Sequence, residues 1–151
     1  MAFLRIKRVK GKEYAYLVEN KWAKGAKQKV KGYIGRVFRF DKVDFKDFFE
    51  FIEVENVDEY VEKSDLKKIV SDLVKWEFGK NKVKEGEFSL DLDGGRVVKS
   101  GKNVCIKINE GYLCGHTLKN LVDFKAKVDE DSTELSFRLG RAFVDAGIEV
   151  P

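Results

Sequence analysis

Two cysteines, one histidine, one proline and one methionine are all that the 151 residues contain of those types. Two thiols exclude the multi-disulfide framework of a small secreted domain, and with a single imidazole they leave a tetrahedral zinc site short of donors. Uninterrupted apolar runs extend only a few residues, far below the roughly 20 needed to cross a bilayer. The opening Met-Ala-Phe-Leu, followed at once by Arg5, is not the apolar core of a secretory signal. No G-x-x-x-x-G-K-[S/T] loop is present, which removes the usual NTPase reading. The expectation is a soluble, cytoplasmic protein with no membrane partner and no cofactor. Scarce Met, Gln and Pro beside abundant Lys and Glu fit a heat-adapted host.

What the chain does contain is material for a core and a wet outside. Apolar residues make up 43%, including twelve Phe, five Tyr and two Trp, and 37% of residues are charged. Such a chain folds rather than staying disordered. Its length suits one domain, read as a basic β module over 1–40 with an α+β portion over 41–151 packed against it as one compact unit.

Charge is segregated. Residues 1–40 hold twelve Lys or Arg and two Glu, a balance of +10, whereas residues 41–62 hold nine acids and two Lys, a balance of −7. The remaining 89 residues, with sixteen bases and fifteen acids, add +1, which gives the overall +4. A basic cluster of this kind suits a polyanion, because Lys and Arg release condensed counterions on meeting phosphates. The competing arrangement folds the acidic stretch back on the basic one and neutralises it inside the molecule.

The period of the apolar residues outlines the fold. Phe3–Val9 and Glu13–Glu19 read as strands of a hairpin around Lys10-Gly11-Lys12. Residues 20–27 read as a loop, and Gln28–Phe40 as a third strand that Gly32 and Gly35 bend or bulge. Two hairpin registers fit. A three-residue loop places Leu4 and Ile6 on one face with Tyr14, Tyr16 and Val18, so that the tyrosines are core. The alternative sets Arg8 opposite Glu13 and lays Arg5 and Lys7 beside Tyr16 and Tyr14 as a stacking platform.

Further along, Val43–Glu53 spaces Phe45, Phe48, Phe49 and Ile52 as one face of a short helix, whose aromatics read as core. Ser64 caps a longer helix over Asp65–Phe78, closed by Gly79. The period then changes to two over Glu87–Asp93, Arg96–Ser100 and Asn103–Ile108, with a fourth strand over Tyr112–Gly115. A short helix over Thr117–Phe124 follows. A last one, capped by Asp131 or Ser132, buries Leu135, Leu139, Ala142, Phe143 and Ala146 and stops at Gly147. Separate runs of strands and helices make the class α+β: an N-terminal three-stranded antiparallel basic sheet, helices, then a small antiparallel sheet flanked by C-terminal helices.

The stretch "FLRIKRVKGKEYAYLVENKWAKGAKQKVKGYIGRV" resembles the N-terminal basic region of some DDE-class insertion-sequence transposases. The likeness over residues 3–36 is carried by Arg5, Lys7, Gly11, Lys12, Tyr14, Tyr16, Leu17, Val18, Glu19, Gln28, Lys29, Val30, Ile34 and Gly35. The family's Gly-Lys pair is displaced into Lys24-Gly25-Ala26-Lys27, and the rest of the chain is too short to hold a DDE catalytic core. The resemblance implies a DNA-associated module without transposition chemistry.

Each candidate chemistry has a plain structural counterpart. Lys and Arg of the basic arm neutralise phosphates while Trp22 and Tyr33 stack on bases, or the same residues are the solvated side and protected edge of a sheet. Cys105, Cys114 and His116 lack a fourth ligand and a familiar zinc spacing, and a three-residue Asn109-Glu110-Gly111 loop would put the two thiols on opposite faces, as structural cysteines. His116 has no nucleophile with an orienting acid around it. Asp91 and Asp93 suit either a Mg²⁺ site for phosphodiester cleavage or an ordinary hairpin approach.

The reading that follows is a non-catalytic nucleic-acid-binding protein, for DNA or RNA, working chiefly through phosphate contacts. Its candidate residues are Arg5, Lys7, Arg8, Lys10, Lys12, Lys21, Trp22, Lys24, Lys27, Lys29, Lys31, Tyr33 and Arg36, with no metal and no catalytic group assigned. The alternatives are a self-assembling or interaction module that joins complementary basic and acidic patches, forming a homo-oligomer, and a metal-dependent nuclease.

Overall fold

The structure, a computed structural model, describes residues 2–22 and 25–151. The expected α+β class is the one observed, and both sets of strands join in a single seven-stranded sheet in the order β1-β2-β3-β6-β5-β4, with β7 added to β6. The first three strands are β1 (Ala2–Val9), β2 (Lys12–Trp22) and β3 (Ala26–Arg39). The C-terminal strands are β4 (Phe88–Asp91), β5 (Arg96–Lys99), β6 (Lys102–Ile108) and β7 (Gly111–Leu113). Every pairing is antiparallel except β3 with β6, which runs parallel from Arg36 opposite Val104 to Arg39 opposite Lys107.

The first hairpin closes through a two-residue turn. Lys10 and Gly11 have φ of 52° and 77°, the doubly left-handed geometry whose twist matches that of the flanking strands. Val9 therefore pairs with Lys12, Arg8 with Glu13, Lys7 with Tyr14 and Arg5 with Tyr16. Of the two registers open from sequence, this is the stacking platform. Strand β2 runs on to Trp22, so the loop expected over 20–27 is shorter.

Two irregularities between β2 and β3, at Ala15/Tyr16 and Leu17/Val18, leave Ile34 and Lys31 as extra residues of β3. They flank the glycines expected to bend the strand and increase its twist. Gly35 serves a second purpose. A Cβ there would meet the Asn103 carbonyl oxygen and lie 2.8 Å from Val104 Cα, so only glycine lets β3 close on β6.

Helices α1 (Phe48–Phe51), α2 (Val57–Lys63) and α3 (Leu66–Lys80) connect the two sets of strands, and α4 (Gly115–Val122) and α5 (Ser132–Asp145) follow them. Asp65 caps α3 by accepting the Lys68 N–H at 2.8 Å, in place of the expected Ser64, and Asp131 caps α5 through Glu134 N–H. The main core packs Val70, Leu73 and Val74 of α3 with Ile106, Ile108, Leu113, Leu118, Leu121 and Phe143. A smaller cluster on the other face of the sheet holds Ala15, Val37, Cys105 and Cys114 with Leu4 and Ile6.

Two further expectations are corrected. The helix expected over 43–53 shrinks to 48–51 because α3 takes up the preceding backbone: Val43 N–H donates to the Lys80 carbonyl at 2.7 Å, and the Trp76 indole N–H to the Lys46 carbonyl at 3.0 Å. Asp47 then caps the remaining turn. The β6–β7 turn has two residues rather than three, since Ile108 pairs with Gly111. Asn109 takes a φ of 50° there, and its amide donates to the Gly147 carbonyl at 2.6 Å and to Glu77 at 3.1 Å. That register puts Cys105 and Cys114 side by side on one face, both fully buried.

Candidate nucleic-acid interface

Alternation along β1 and β2 sorts the basic arm by face. One face carries Phe3, Arg5 and Lys7 of β1 beside Lys12, Tyr14, Tyr16, Val18 and Trp22 of β2. Across β2, Tyr16 pairs with Tyr33 and Tyr14 with Arg36. The three tyrosine rings form one group: Tyr16 and Tyr33 centroids are 5.3 Å apart, and Tyr14 and Tyr33 6.4 Å. The Lys7 ammonium stands 5.2 Å over the Tyr16 ring. Arg5 Nη1 donates to Gln28 Oε1 at 3.0 Å, which ties β1 to β3 over the top of β2.

This platform is open. Tyr33 is 57% exposed and Trp22 82%, although Trp packs most of its area away in an ordinary core. Val18 on this face is fully buried, between its cross-strand neighbours Phe3 and Val30. Partial burial, with the neighbouring Tyr16 and Tyr14 hydroxyls, raises the Tyr33 pKa above its ordinary 10.0, so the phenol stays neutral and able to donate.

The candidate residues do not all converge. Arg5, Lys7, Lys12, Trp22, Tyr33 and Arg36 belong to the platform face, and Lys10 sits in the turn. Arg8 pairs with Glu13, Lys21 with Lys27, and Lys29 with Glu19, all of them exposed cations on the opposite face. Lys31 bonds Glu19 at 3.0 Å. Lys24 lies outside the described residues.

Among the described residues no carboxylate pairs with the platform cations Arg5, Lys7, Lys12 and Arg36. The two acids of the arm are taken up locally, Glu13 by Arg39 and Glu19 by Lys31, and each partner holds its carboxyl below the usual range through a direct hydrogen bond. Among the described residues no ion pair joins residues 2–40 to the acidic stretch 41–62. Of those acids, Asp47 caps α1 and Glu59 pairs with Lys63 within α2.

The other candidates resolve into local structure. Asp91 Oδ1 accepts the Gly94 N–H at 2.8 Å and so shapes the β4–β5 turn, while Asp93 sits in that turn and pairs with Lys67 at 3.0 Å. Among the described residues no group of three or more His, Cys, Asp or Glu is placed to hold a metal ion. Half-buried His116 is the second residue of α4, its pKa lowered by burial. Cys114 caps α4, with its backbone N–H donating to Thr117 Oγ1 at 3.1 Å. Contact with Cys105 and the α4 backbone pushes its thiol down to about 6, and Cys105, which donates to it in a buried setting, is pushed up.

Sequence reasoning left Tyr14, Tyr16 and Gln28 off the candidate list because their face depended on the register. It also left off Arg96 and Lys119, which approach β3 only through the tertiary fold. Within the described residues no helix is long and apolar enough to cross a membrane.

Residues 23–89 match the family model described as the tRNA synthetases class II core domain (F). The match spans less than half of the chain, from the β2–β3 loop through α3 to β4, and gives a nucleic-acid-related likeness at a coarse level. It overturns the transposase resemblance of residues 3–36. The positions that carried that pattern are those that strand alternation and the Lys10-Gly11 turn impose on a basic β-meander, so they do not discriminate between families. No curated protein and no solved structure matches the chain.

Proposed function

We propose that the protein binds nucleic acid, RNA with unpaired bases in particular, through the platform face of its N-terminal strands, without catalysing a reaction. The observation that carries this reading is the pairing of Arg5 with Tyr16 and Lys7 with Tyr14 on an exposed face whose cations pair with no described carboxylate. Aromatic faces exposed on a sheet accept bases of any sequence by stacking, while flanking cations hold the backbone phosphates. The likeness of residues 23–89 to a domain of tRNA synthetases supports RNA over DNA.

In this reading Arg5, Lys7, Lys12, Trp22, Tyr33 and Arg36 make the contact. Arg8, Lys10, Lys21, Lys24, Lys27, Lys29 and Lys31 supply the surrounding positive field. Residues 1–40 and 41–151 act as one unit, which the parallel β3–β6 ladder supports. A fluorescein-labelled single-stranded RNA titrated by anisotropy tests it. Arg5→Ala/Lys7→Ala should weaken binding about tenfold or more, and Lys29→Ala/Lys31→Ala, on the other face, by much less. Equal effects of the two pairs would rule out the platform as the binding face. Tighter binding of a duplex DNA of the same sequence would rule out the preference for unpaired RNA. Salt-sensitive self-association in the absence of nucleic acid would favour the assembly reading instead.

A further inference from the structure

At the edge of β3, where β6 ceases to pair with it, a pocket of about 270 Å³ opens between the N-terminal strands and the C-terminal half of the chain. Its wall is formed by Tyr33 and Ile34 of β3, the Gly94-Gly95 turn, Arg96 at the start of β5, and His116 and Lys119 of α4. Among the described residues no Asp or Glu lines it. Arg96 and Lys119 are both exposed and, among the described residues, neither forms an ion pair.

The two cations are held in place by packing. Arg96 Nε donates to Asn103 Oδ1 at 2.9 Å, which steadies the guanidinium, and its terminal nitrogens have no hydrogen-bond partner among the described residues. The stem of Lys119 lies across the Gly95 backbone, where a Cβ would stand 2.5 Å from Lys119 Cγ, and Gly115 approaches the same turn, its own Cβ position 2.8 Å from the Gly95 carbonyl oxygen. Gly95 has a φ of 63°, so both its conformation and its closeness to Lys119 require glycine.

We infer that this pocket is a phosphate subsite for the nucleic-acid strand that crosses the platform, with Arg96 and Lys119 as its cationic partners and Tyr33 shared between the two surfaces. The inference rests on the platform reading. It extends that reading by giving the strand a direction, off the platform and around the edge of β3 at Tyr33 toward α4, because Leu17 and Ile34, which also line the pocket, belong to the opposite face of the sheet. A fixed guanidinium matches paired phosphate oxygens, and a lysine ammonium adds a mobile point charge. A cleft with cations and no carboxylate concentrates the field in the way that suits a phosphodiester.

The test uses the full chain and a labelled single-stranded RNA of about 16 nucleotides, titrated over a series of salt concentrations. Arg96→Ala and Lys119→Ala should each weaken binding about tenfold. The double variant should lower the magnitude of the salt slope by about 1.4, at roughly 0.7 per neutralised phosphate, and Arg96→Lys should recover part of the affinity. A remote exposed control, Lys75→Ala, should change nothing. If Arg96→Ala/Lys119→Ala binds like the wild type while Arg5→Ala/Lys7→Ala is weakened, the subsite is wrong and the platform stands. If neither pair matters, both are wrong. Competition by a nucleoside monophosphate or inorganic phosphate as effective as that by unlabelled RNA would assign the pocket to a free ligand and overturn its place on a strand.

Discussion

Tyr16 and Tyr33 are register partners across β2 and β3, with ring centroids 5.3 Å apart and planes inclined at 56°. Their contact depends on the β-bulge between Ala15 and Tyr16, which inserts Ile34 and so brings Tyr33, rather than its neighbour, opposite Tyr16. A feature of the backbone thus assembles the aromatic surface. Tyr33, the more exposed ring, is available to a base.

Replacing Tyr33 by Ala should therefore weaken binding of single-stranded RNA by about 1–3 kcal/mol, the range for one stacked base, while leaving the fold in place. Tyr33→Phe should keep most of the affinity, since the π-face and not the hydroxyl carries the contact. Anisotropy titrations beside a thermal melt of each variant distinguish a loss of stacking from a loss of structure.

Gly35 tests how the two halves of the sheet are joined. Gly35→Ala places a methyl group against the Asn103 carbonyl and 2.8 Å from Val104 Cα, both of them backbone atoms that cannot swing aside. A destabilisation of about 1–3 kcal/mol or more is expected from overpacking of this kind, read from the midpoint of a urea transition. An unchanged midpoint would mean that β3 and β6 part without cost.

A buried polar cluster at the end of α3 gives a larger effect. Fully buried Glu77 accepts the Glu149 N–H at 2.7 Å and the Asn109 amide at 3.1 Å, and pairs with Lys80 at 3.1 Å. The Lys80 ammonium also stands 3.5 Å over the Trp76 ring. Glu77→Ala removes one of the two carboxylates that meet Lys80, Glu149 at 3.0 Å being the other, leaves the Glu149 N–H and the Asn109 amide short of an acceptor, and should cost about 3 kcal/mol. Glu77→Gln, which keeps the shape and one acceptor, should cost less. Urea melts of both variants check the order.

Acid should loosen the segment between α4 and α5. Arg138, first of all, and the Lys127 N–H hold the Glu130 carboxyl down, from an ordinary 4.5 to about 2. A carboxylate with a depressed folded-state pKa adds stability above the unfolded value, and that stability is lost as pH falls through the folded one. Stability should thus decline between about pH 4.5 and 2 through this residue, and Glu130→Gln should flatten that part of the profile, as urea midpoints measured across the range will show.

Much of this architecture was legible beforehand, because local chemistry and tertiary need agree. The α5 stripe of Leu135, Leu139, Ala142, Phe143 and Ala146 and the Gly147 stop after it follow from helical spacing and caps. What failed depended on partners distant in sequence. Helix 43–53 was shortened because Trp76 and Lys80 of α3 bind the backbone of 43–46. Helix α2 escaped notice because Val57 and Val61 remain exposed, although Asn56 three residues before Glu59 is a capping signal. The parallel β3–β6 joint left no local trace beyond Gly35. The register of the first hairpin, on which the candidate site turns, stays open between two solutions in the sequence, since the Lys10-Gly11 turn decides it and the strands alone do not.

The central claim is that Arg5, Lys7 and Arg36 meet phosphates on the face that carries Tyr14, Tyr16 and Tyr33. The salt dependence of RNA affinity for the wild type and for Arg5→Ala/Lys7→Ala/Arg36→Ala measures this most directly. The magnitude of the slope of log affinity against log salt should fall by about 2, at roughly 0.7 for each phosphate no longer neutralised, with similar weakening on RNAs of different sequence. A slope and an affinity unchanged by the three substitutions would contradict it.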